Sequence, residues 1–237
     1  MDSDPSSEPL HILLTGASRG IGAAIAERLG NEDRVRLVST SSASGDLSNP
    51  STAGLIWADA LDQLDGRIDI LINNAGVFEA NPVELSDVEW LENWHYTMDV
   101  NLTAAALLCR EAVQHFQEFD GGRIINMASR AAYRGDSPEH WHYAASKAGM
   151  VAMTKTIARG FARENIYAFA ICPGFTMTGM AEDYLESRGG DKLLADIPLG
   201  RVTDPEEVAE IVAFCALHAP ASMTGAVLDV NGASYVR

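Results

Sequence analysis

A short apolar run that leads into a glycine-rich turn constrains the fold of this chain most. Residues 12–14 are Ile-Leu-Leu, a pattern typical of a strand buried on both faces of a parallel sheet. Residues 15–22 read TGASRGIG, and residues 21–29 continue with helical periodicity. Glycines permit a tight turn that brings backbone N–H groups close to a phosphate at the N-terminus of the following helix. The pattern indicates a dinucleotide site, with a ligand-free glycine turn as the alternative.

The rest of the chain alternates apolar runs with amphipathic segments. The predicted strands are residues 12–14, 35–40, 68–72, 123–127, 167–172 and 226–230. The predicted helices are residues 21–29, 52–64, 88–119, 142–163 and 205–217, and the third can be broken near its start. This alternation predicts an α/β protein with a doubly wound Rossmann fold, in which six to seven parallel strands carry helices on both faces. Motifs that follow strands then meet at the carboxyl edge of the sheet.

The connection after the second strand is too short for the usual crossover. Only a few residues separate the end of that strand, near Ser41, from Asp46 and Leu47. A parallel crossover needs a dozen or more residues, so a third strand entered through its own helix does not fit. We therefore expect a shortened edge, where the strand is either missing or a vestige entered by a loop.

Length and composition indicate one domain at residues 10–237, after a short disordered tail at residues 1–9. The formal net charge of −16 argues against nucleic-acid binding and disfavours an acidic carrier protein as a partner. No apolar run approaches the roughly 18 residues of a membrane span. The three cysteines lack metal-ligand spacing. These features predict a cytoplasmic protein with reduced thiols and no membrane partner.

Tyr143 and Lys147 stand four residues apart in a segment with helical periodicity, so they share one helix face. A free tyrosine has a pKa near 10, and this pKa must fall for the phenol to exchange protons near neutral pH. We expect the cation of Lys147 to lower it. Alone the pair could be an ordinary surface pair. Combined with the glycine-rich turn, it predicts a site where a proton and a hydride move together.

The ordered set of motifs resembles the single-domain short-chain dehydrogenase/reductase family over most of the chain, from about Leu10 to Tyr235. The matching motifs are Thr15–Gly22, Asn73–Gly76, Asn101, Ser129, Tyr143 with Lys147, and Pro173–Gly174 with Thr178. Residues 122–126 and 197–201 resemble segments of the 3-oxoacyl-carrier-protein reductases and related carbonyl reductases. The chain departs from the family at the shortened edge and in the slightly longer segment between Ser129 and Tyr143.

The resemblance implies four catalytic residues, Asn101, Ser129, Tyr143 and Lys147. Tyr143 would act as the general acid or base, and Lys147 would favour its phenolate form. Ser129 would donate a hydrogen bond to the substrate oxygen. Asn101 would anchor a water molecule in a proton relay to Lys147.

The resemblance also implies a nicotinamide cofactor. The second strand ends without a carboxylate, which would repel a 2′-phosphate, and Arg19 is placed to bind that phosphate, so we expect NADP(H) rather than NAD(H). A solvent-facing arginine is the alternative interpretation of Arg19. The implied cofactor-binding residues are Gly16, Ser18, Arg19, Gly20, Ile21, Gly22, Thr40, Ser41, Asp46, Leu47, Asn73, Ala75, Gly76, Tyr143, Lys147, Pro173, Gly174, Thr176 and Thr178.

Aromatic and apolar residues are candidates for the substrate wall, although each could instead pack loops. These candidates are Tyr133, Trp141, His142, Phe175 and Met180. His140 and His142 stand two residues apart in a loop, a spacing more typical of rim residues than of metal ligands. No metal is predicted.

The function predicted from these residues is NADP(H)-dependent interconversion of a ketone and a secondary alcohol, both small molecules. One alternative is a 3-oxoacyl-carrier-protein reductase, which would need a basic docking patch near the site, whereas residues 115–120 and 163–165 look acidic. A less favoured alternative is a non-catalytic nicotinamide sensor, since such proteins commonly lose the tyrosine or the lysine.

Residues 149–154 are apolar on more than one helix face, which predicts a homo-oligomer, a tetramer or a dimer.

Overall fold

One parallel sheet with helices on both faces organises the chain. The computed structural model describes residues 8–177 and 194–237. The strands are β1 (Leu10–Leu14), β2 (Val35–Ser39), β3 (Ile70–Asn73), β4 (Gly122–Met127), β5 (Ile166–Pro173) and β6 (Val227–Val230). They lie in the order β2-β1-β3-β4-β5-β6, and every neighbouring pair is parallel.

Seven α-helices lie within the described residues, and five of them pack against the two faces of the sheet. The seven are α1 (Gly20–Gly30), α2 (Pro50–Gln63), α3 (Asp87–Met98), α4 (Ala104–Glu118), α5 (Ala131–Arg134), α6 (Trp141–Phe161) and α7 (Pro205–Leu217). The doubly wound Rossmann fold predicted from the sequence is confirmed, with six strands.

Two buried clusters hold the helices on the sheet, because alternate strand residues point to opposite faces. Leu13 belongs to a cluster with residues of α2, α4 and α6, among them the fully buried Phe116. Ile12 and Phe169 belong to the second cluster, with Ile25 of α1 and residues of α7. Burial of both faces explains why the strands are apolar almost throughout.

β2 ends the sheet on one side. Residues 40–49 after it form turns, in which the Asp46 carboxylate accepts a hydrogen bond from the Ser48 N–H over 2.9 Å. The Asn49 side chain then caps α2 by accepting from the Ser51 N–H over 3.1 Å. No strand forms within residues 40–49, so of the two alternatives for this edge the extra strand is missing.

The segment predicted as one helix over residues 88–119 consists of three helical pieces. α3 begins with a capping box formed by Ser86 and Glu89. A π-helical turn, Asp99–Thr103, separates α3 from α4 and has Asn101 at its centre. Such turns occur frequently at functional sites.

No helix within the described residues is long and apolar enough to cross a membrane. Most of the tail predicted at residues 1–9 lies outside the described residues. The assignment of residues 10–237 to a single domain stays a prediction.

Candidate active site

A cavity of about 680 Å³ lies at the carboxyl ends of β3, β4 and β5, the edge where ligands bind in sheets of this kind. The described residues that line it are Ile21, Asn74, Gly76, Val77, Phe78, Met127, Ala128, Ser129, Arg130, Asp136, Ser137, Glu139, His140, Tyr143, Lys147, Pro173, Gly174, Phe175 and Thr176. Three predicted catalytic residues, Ser129, Tyr143 and Lys147, are therefore brought together on one cavity.

The glycine-rich turn packs against the segment that follows β3. A Cβ added to Gly16 would lie 2.6 Å from the Cα of Ala75, and one added to Gly22 would lie 2.0 Å from the carbonyl oxygen of Gly16. The Thr15 hydroxyl oxygen accepts hydrogen bonds from the N–H groups of Asn74 and Ala75, each over 3.1 Å. These contacts fix the turn beside the cavity and leave no room for a side chain at either glycine.

Helix α1 begins at Gly20 without a side-chain cap. Arg19 is its N-cap residue and makes no capping hydrogen bond, and both Arg19 and Ser18 are exposed. The first N–H groups of a helix have no partner within it, and an anion can satisfy them. The turn therefore fits the pyrophosphate of a dinucleotide, and Ile21 of the same turn lines the cavity.

The loop after β2 runs beside the glycine-rich turn. The Thr40 carbonyl oxygen accepts from the Ala17 N–H over 2.8 Å, so the chain before Ser41 is tied to the turn. The exposed Asp46 carboxylate bonds within its own loop, whereas Leu47 packs against the core under α2. Neither Asp46 nor Leu47 lines the cavity, and their contact with the cofactor stays a prediction.

The side chain of Asn73 faces the interior between β3, β4 and α4. Its Nδ2 donates to Oδ1 of Asn126 over 2.9 Å and to the sulfur of Cys109 over 3.3 Å. Asn126 in turn donates from Nδ2 to the Thr154 hydroxyl oxygen over 2.9 Å. Asn73 therefore joins the central strands beneath the site, and its side chain does not line the cavity.

Asn101 holds the loop that continues from β3. Its Oδ1 accepts from the Val77 N–H over 2.7 Å, and its Nδ2 donates to the Val77 carbonyl oxygen over 2.9 Å and to the Ser146 hydroxyl over 3.3 Å. A Cβ added to Gly76 would lie 3.2 Å from Asn101 Oδ1 and 3.4 Å from Lys147 Nζ. The side chains of Asn101 and Lys147 therefore both lie close to the backbone of Gly76.

Ser129, Tyr143 and Lys147 come from the end of β4 and from the first turns of α6. The Ser129 hydroxyl oxygen accepts from the Ala131 N–H over 3.1 Å, so its own hydrogen is available to another acceptor. Lys147 Nζ is buried, donates to the Met127 carbonyl oxygen over 2.8 Å and lies 5.8 Å from the ring centroid of Tyr143.

Burial is the largest cause of the pKa shifts of Tyr143 and Lys147. It raises the pKa of Tyr143 to about 12, although the hydrogen bond with Ser129 and the charge of Arg130 act in the opposite direction. It lowers the pKa of Lys147 to about 8. This differs from the expected lowering of the Tyr143 pKa, because Lys147 directs its hydrogen bond to Met127 and desolvation penalises both charged forms.

The segment after β5 is held by the C-terminal part of the chain. A Cβ added to Gly174 would lie 2.8 Å from the Cα of Asn231, and the Gly174 N–H donates to the Val230 carbonyl oxygen over 2.9 Å. Thr176 pairs with Thr203 as an isolated parallel bridge. Pro173, Gly174, Phe175 and Thr176 line the cavity, whereas Thr178 and Met180 lie outside the described residues.

Three of the predicted substrate residues do not line the cavity. The Tyr133 hydroxyl accepts from Arg237 over 3.1 Å at the C-terminus of the chain. Trp141 is exposed, with its ring against Trp90. His142 is 1% exposed and stacks beside Trp94, because α6 begins at Trp141 and turns this side chain towards α3. Phe175 is the predicted substrate residue that the structure places on the cavity.

Several cavity residues were not predicted from the sequence. Phe78 packs its ring against Tyr143 with 4.7 Å between centroids, and His140 stacks on Phe78 at 3.9 Å. Arg130 directly follows Ser129. Phe78 and Arg130 lie next to family motifs, and this proximity was the signal that could have found them. His140 was expected at the rim of the site, and it lines the cavity. Within residues 8–177 and 194–237, no group of three or more His, Cys, Asp or Glu side chains could hold a metal ion.

Known proteins resemble this chain in both sequence and fold. A family model described as enoyl-(acyl carrier protein) reductase matches residues 36–233. A 3-oxoacyl-[acyl-carrier-protein] reductase FabG of Vibrio cholerae is 34% identical, over 94% of this chain and 96% of its own. Nodulation protein G of a Rhizobium species is 36% identical, over 93% of this chain and 94% of its own.

A solved structure of a similarly named reductase has the same fold as this chain. The 3-ketoacyl-(acyl-carrier-protein) reductase from Brucella melitensis, complexed with NADH, superposes with a TM-score of 0.84 and 26% identity. The match covers 97% of this chain and 99% of the Brucella chain. With the glycine-rich turn, the cavity and the Ser129, Tyr143 and Lys147 cluster, these likenesses show that the chain belongs to the short-chain dehydrogenase/reductase family of oxidoreductases.

Proposed function

We propose that this oxidoreductase uses NADP(H) to interconvert a ketone and a secondary alcohol. The observation that carries the proposal is the convergence of Ser129, Tyr143 and Lys147 on one cavity beside the glycine-rich turn. The cavity is also lined by Val77, Phe78 and other apolar groups, which suits the carbon skeleton of a small ketone.

Tyr143 is the proposed general acid in the direction of reduction. With a pKa of about 12 it carries its proton throughout the physiological range, and it gives this proton to the carbonyl oxygen of the substrate. The Ser129 hydroxyl donates a second hydrogen bond to the same oxygen. The nicotinamide, when bound, supplies the hydride for the carbonyl carbon or accepts it in the reverse direction.

Lys147 is the proposed electrostatic partner of Tyr143. A phenolate forms as Tyr143 gives up its proton, and a buried ammonium within the same cavity stabilises that charge more than an exposed one would. Asn101 is the proposed positioning residue. Its side chain holds the backbone of Val77 and lies, like that of Lys147, close to Gly76. A water relay from Asn101 to Lys147 remains part of the proposal.

The preference for NADP(H) rests on charge. Arg19 is exposed at the N-terminus of α1, where a guanidinium could bind a 2′-phosphate, and Thr40 and Ser41 after β2 offer no carboxylate that would repel one. The Brucella relative was solved with NADH, so the two cofactors must be compared directly.

The test is the oxidation of NADPH and of NADH, followed by absorbance, with a panel of aliphatic and aromatic ketones. We expect turnover of at least one ketone and a higher kcat/KM for NADPH than for NADH. Binding of either cofactor without oxidation by any ketone would instead support the non-catalytic sensor, which the retention of Tyr143 and Lys147 disfavours.

A second candidate is the reduction of a 3-oxoacyl group carried by an acyl carrier protein. The names of the Vibrio and Brucella relatives favour it. The formal charge of −16 disfavours an acidic carrier. Residues 115–120 and 163–165 do not decide the question, since they precede β4 and β5 and therefore lie at the sheet edge opposite the cavity.

The two candidates differ in how they use a carrier protein. A carrier-dependent reductase should reduce a 3-oxoacyl carrier thioester with a much lower KM than the same acyl group on N-acetylcysteamine. Equal KM values for the two thioesters would favour a reductase of free small molecules.

The proposed assembly is a homodimer or a homotetramer. α3 exposes Val88, Leu91 and Tyr96, large apolar side chains that a subunit contact would cover. Size-exclusion chromatography with light scattering measures the number of subunits, and a monomer at micromolar concentration would contradict the proposal.

A further inference from the structure

Arg130 is a cavity residue that the proposed reaction leaves without a role. It directly follows Ser129, and its backbone N–H donates to the Pro173 carbonyl oxygen over 3.1 Å. This bond holds it between the ends of β4 and β5. Arg130 is therefore fixed by backbone contacts beside the group proposed to bind the substrate oxygen.

The guanidinium of Arg130 is poorly satisfied. Its side chain is 14% exposed, and its Nη1 is buried without a hydrogen-bond partner among the residues that the structure describes. The carboxylate of Asp196 lies 3.8 Å from this nitrogen, too far for a hydrogen bond, and accepts instead from Arg134 over 2.7 Å. Two arginines thus share one carboxylate, and a buried donor without a partner is unfavourable.

Among the described residues, Asp196 compensates this positive charge only in part. Burial and the neighbouring Arg134 lower the pKa of Arg130, whereas Asp196 and Asp136 raise it. Asp136 and Glu139 also line the cavity, but both are exposed, so water solvates their carboxylates. Lys147, the other buried cation of the cavity, has the Met127 carbonyl as its acceptor.

We infer that Arg130 determines specificity by binding a carboxylate of the substrate, so that the enzyme acts on an oxo acid and its hydroxy acid. A carboxylate offers the charge and the two acceptor oxygens that match a guanidinium. Apolar groups such as Val77 and Phe78 then enclose the short carbon chain between the carboxylate and the ketone. This inference rests on the proposed ketone chemistry and names its substrate class.

The experiment compares acids with their neutral esters. The probes are the straight-chain 2-, 3- and 4-oxo acids pyruvate, acetoacetate and levulinate, each beside its methyl ester, with NADPH in excess. The wild type should reduce at least one acid with a kcat/KM about tenfold or more above that of its ester. Arg130→Gln should lower that kcat/KM by about 10²-fold while the ester changes by less than about threefold.

Two further variants keep the result interpretable. Arg130→Lys retains the charge without the two-pronged geometry, so it should recover part of the preference for the acid. Arg110→Gln removes an arginine that is 66% exposed on α4 and should leave both rates unchanged. The affinity for NADPH, measured by fluorescence titration, should be the same in all these variants.

The outcomes separate the inference from the proposed function. Ester reduction as fast as or faster than acid reduction in the wild type overturns the inference and leaves the ketone chemistry standing. An equal loss for acid and ester in Arg130→Gln, or weaker NADPH binding, overturns it as well. If no ketone of any kind is reduced, the proposed function fails and the inference falls with it.

Discussion

Lys147 Nζ lies 5.8 Å from the ring centroid of Tyr143 and gives its hydrogen bond to a backbone carbonyl, not to the phenol. The pair is therefore held by α6 and β4 before any substrate is present. Because burial lowers the pKa of Lys147 to about 8 and raises that of Tyr143 to about 12, Lys147 is the group of the pair that titrates near neutral pH.

The rate of ketone reduction should consequently fall above pH 8. Tyr143 remains protonated over this range, whereas Lys147 loses the charge that stabilises the phenolate as its ammonium deprotonates. We expect kcat/KM for NADPH to be level from pH 6 to about 7.5 and then to fall about tenfold per pH unit. Any activity left in Lys147→Arg should show no decline below about pH 10, since a guanidinium keeps its proton. A level profile in the wild type up to pH 9.5 would contradict this assignment.

Deprotonation of Lys147 should also affect the stability of the fold, and this effect has the opposite dependence on pH. The pKa of Lys147 is lower in the folded chain than its ordinary value of 10.5, so the unfolded chain binds more protons between these values. The free energy of unfolding should therefore gain a contribution that grows as the pH rises from about 8 to 10.5. Lys147→Met should remove this contribution, which urea titrations at pH 7.5 and pH 10 would detect.

Replacement of Tyr143 with Phe tests the proposed proton transfer. The change removes the hydroxyl but keeps the ring that packs edge-on against Phe78. We expect kcat to fall by about 10³-fold or more, with the melting temperature and the affinity for NADPH unchanged. Tyr133→Phe is the matched control, because it removes a hydroxyl that lies outside the cavity wall and should change kcat by less than about twofold. Retained turnover in the Tyr143 variant would contradict the mechanism.

The order of strands and helices could be predicted because a doubly wound sheet leaves a strong periodic pattern. The placement of Ser129 at the sheet edge followed from its position just after a strand, whereas Tyr143 and Lys147 were expected on one helix face from their spacing of four residues. His142 and Trp141 were less predictable: α6 begins at Trp141, and a shift of one residue rotates a side chain by about 100°. The proposed role of Arg130 also depends on its distance from Asp196, a residue far away in the sequence, which no local pattern reveals.

Arg19 should set the preference for NADP(H). Its side chain is exposed at the N-terminus of α1, where a 2′-phosphate could form a charge-assisted bond. We expect Arg19→Gln to raise KM for NADPH about tenfold or more and to change KM for NADH by less than about twofold. Steady-state kinetics with both cofactors provide the measurement, with Arg110→Gln as the control for a lost surface charge. An equal change for the two cofactors would place Arg19 away from the 2′ position.

The buried side chains of Asn73, Asn126 and Thr154 should contribute strongly to stability. Asn126 accepts from Asn73 and donates to Thr154. Asn126→Ala opens a cavity and removes the oxygen acceptor of Asn73 Nδ2, which keeps the weaker sulfur acceptor of Cys109. We expect a loss of about 2–4 kcal/mol in the free energy of unfolding. Thr154→Val retains the side-chain volume and removes the acceptor of Asn126 Nδ2, which should cost about 1–2 kcal/mol.

A matched threonine on the same helix separates burial from helix propensity. Thr156 donates to the carbonyl oxygen four residues earlier, as Thr154 does, but it is exposed, so water can replace its partner. Thr156→Val should therefore change the free energy of unfolding by less than about 0.5 kcal/mol. Urea denaturation with a common m-value would measure all three variants. Equal losses at Thr154 and Thr156 would show that the hydrogen bond to Asn126 adds nothing, because that bond and its burial are what distinguish the two sites.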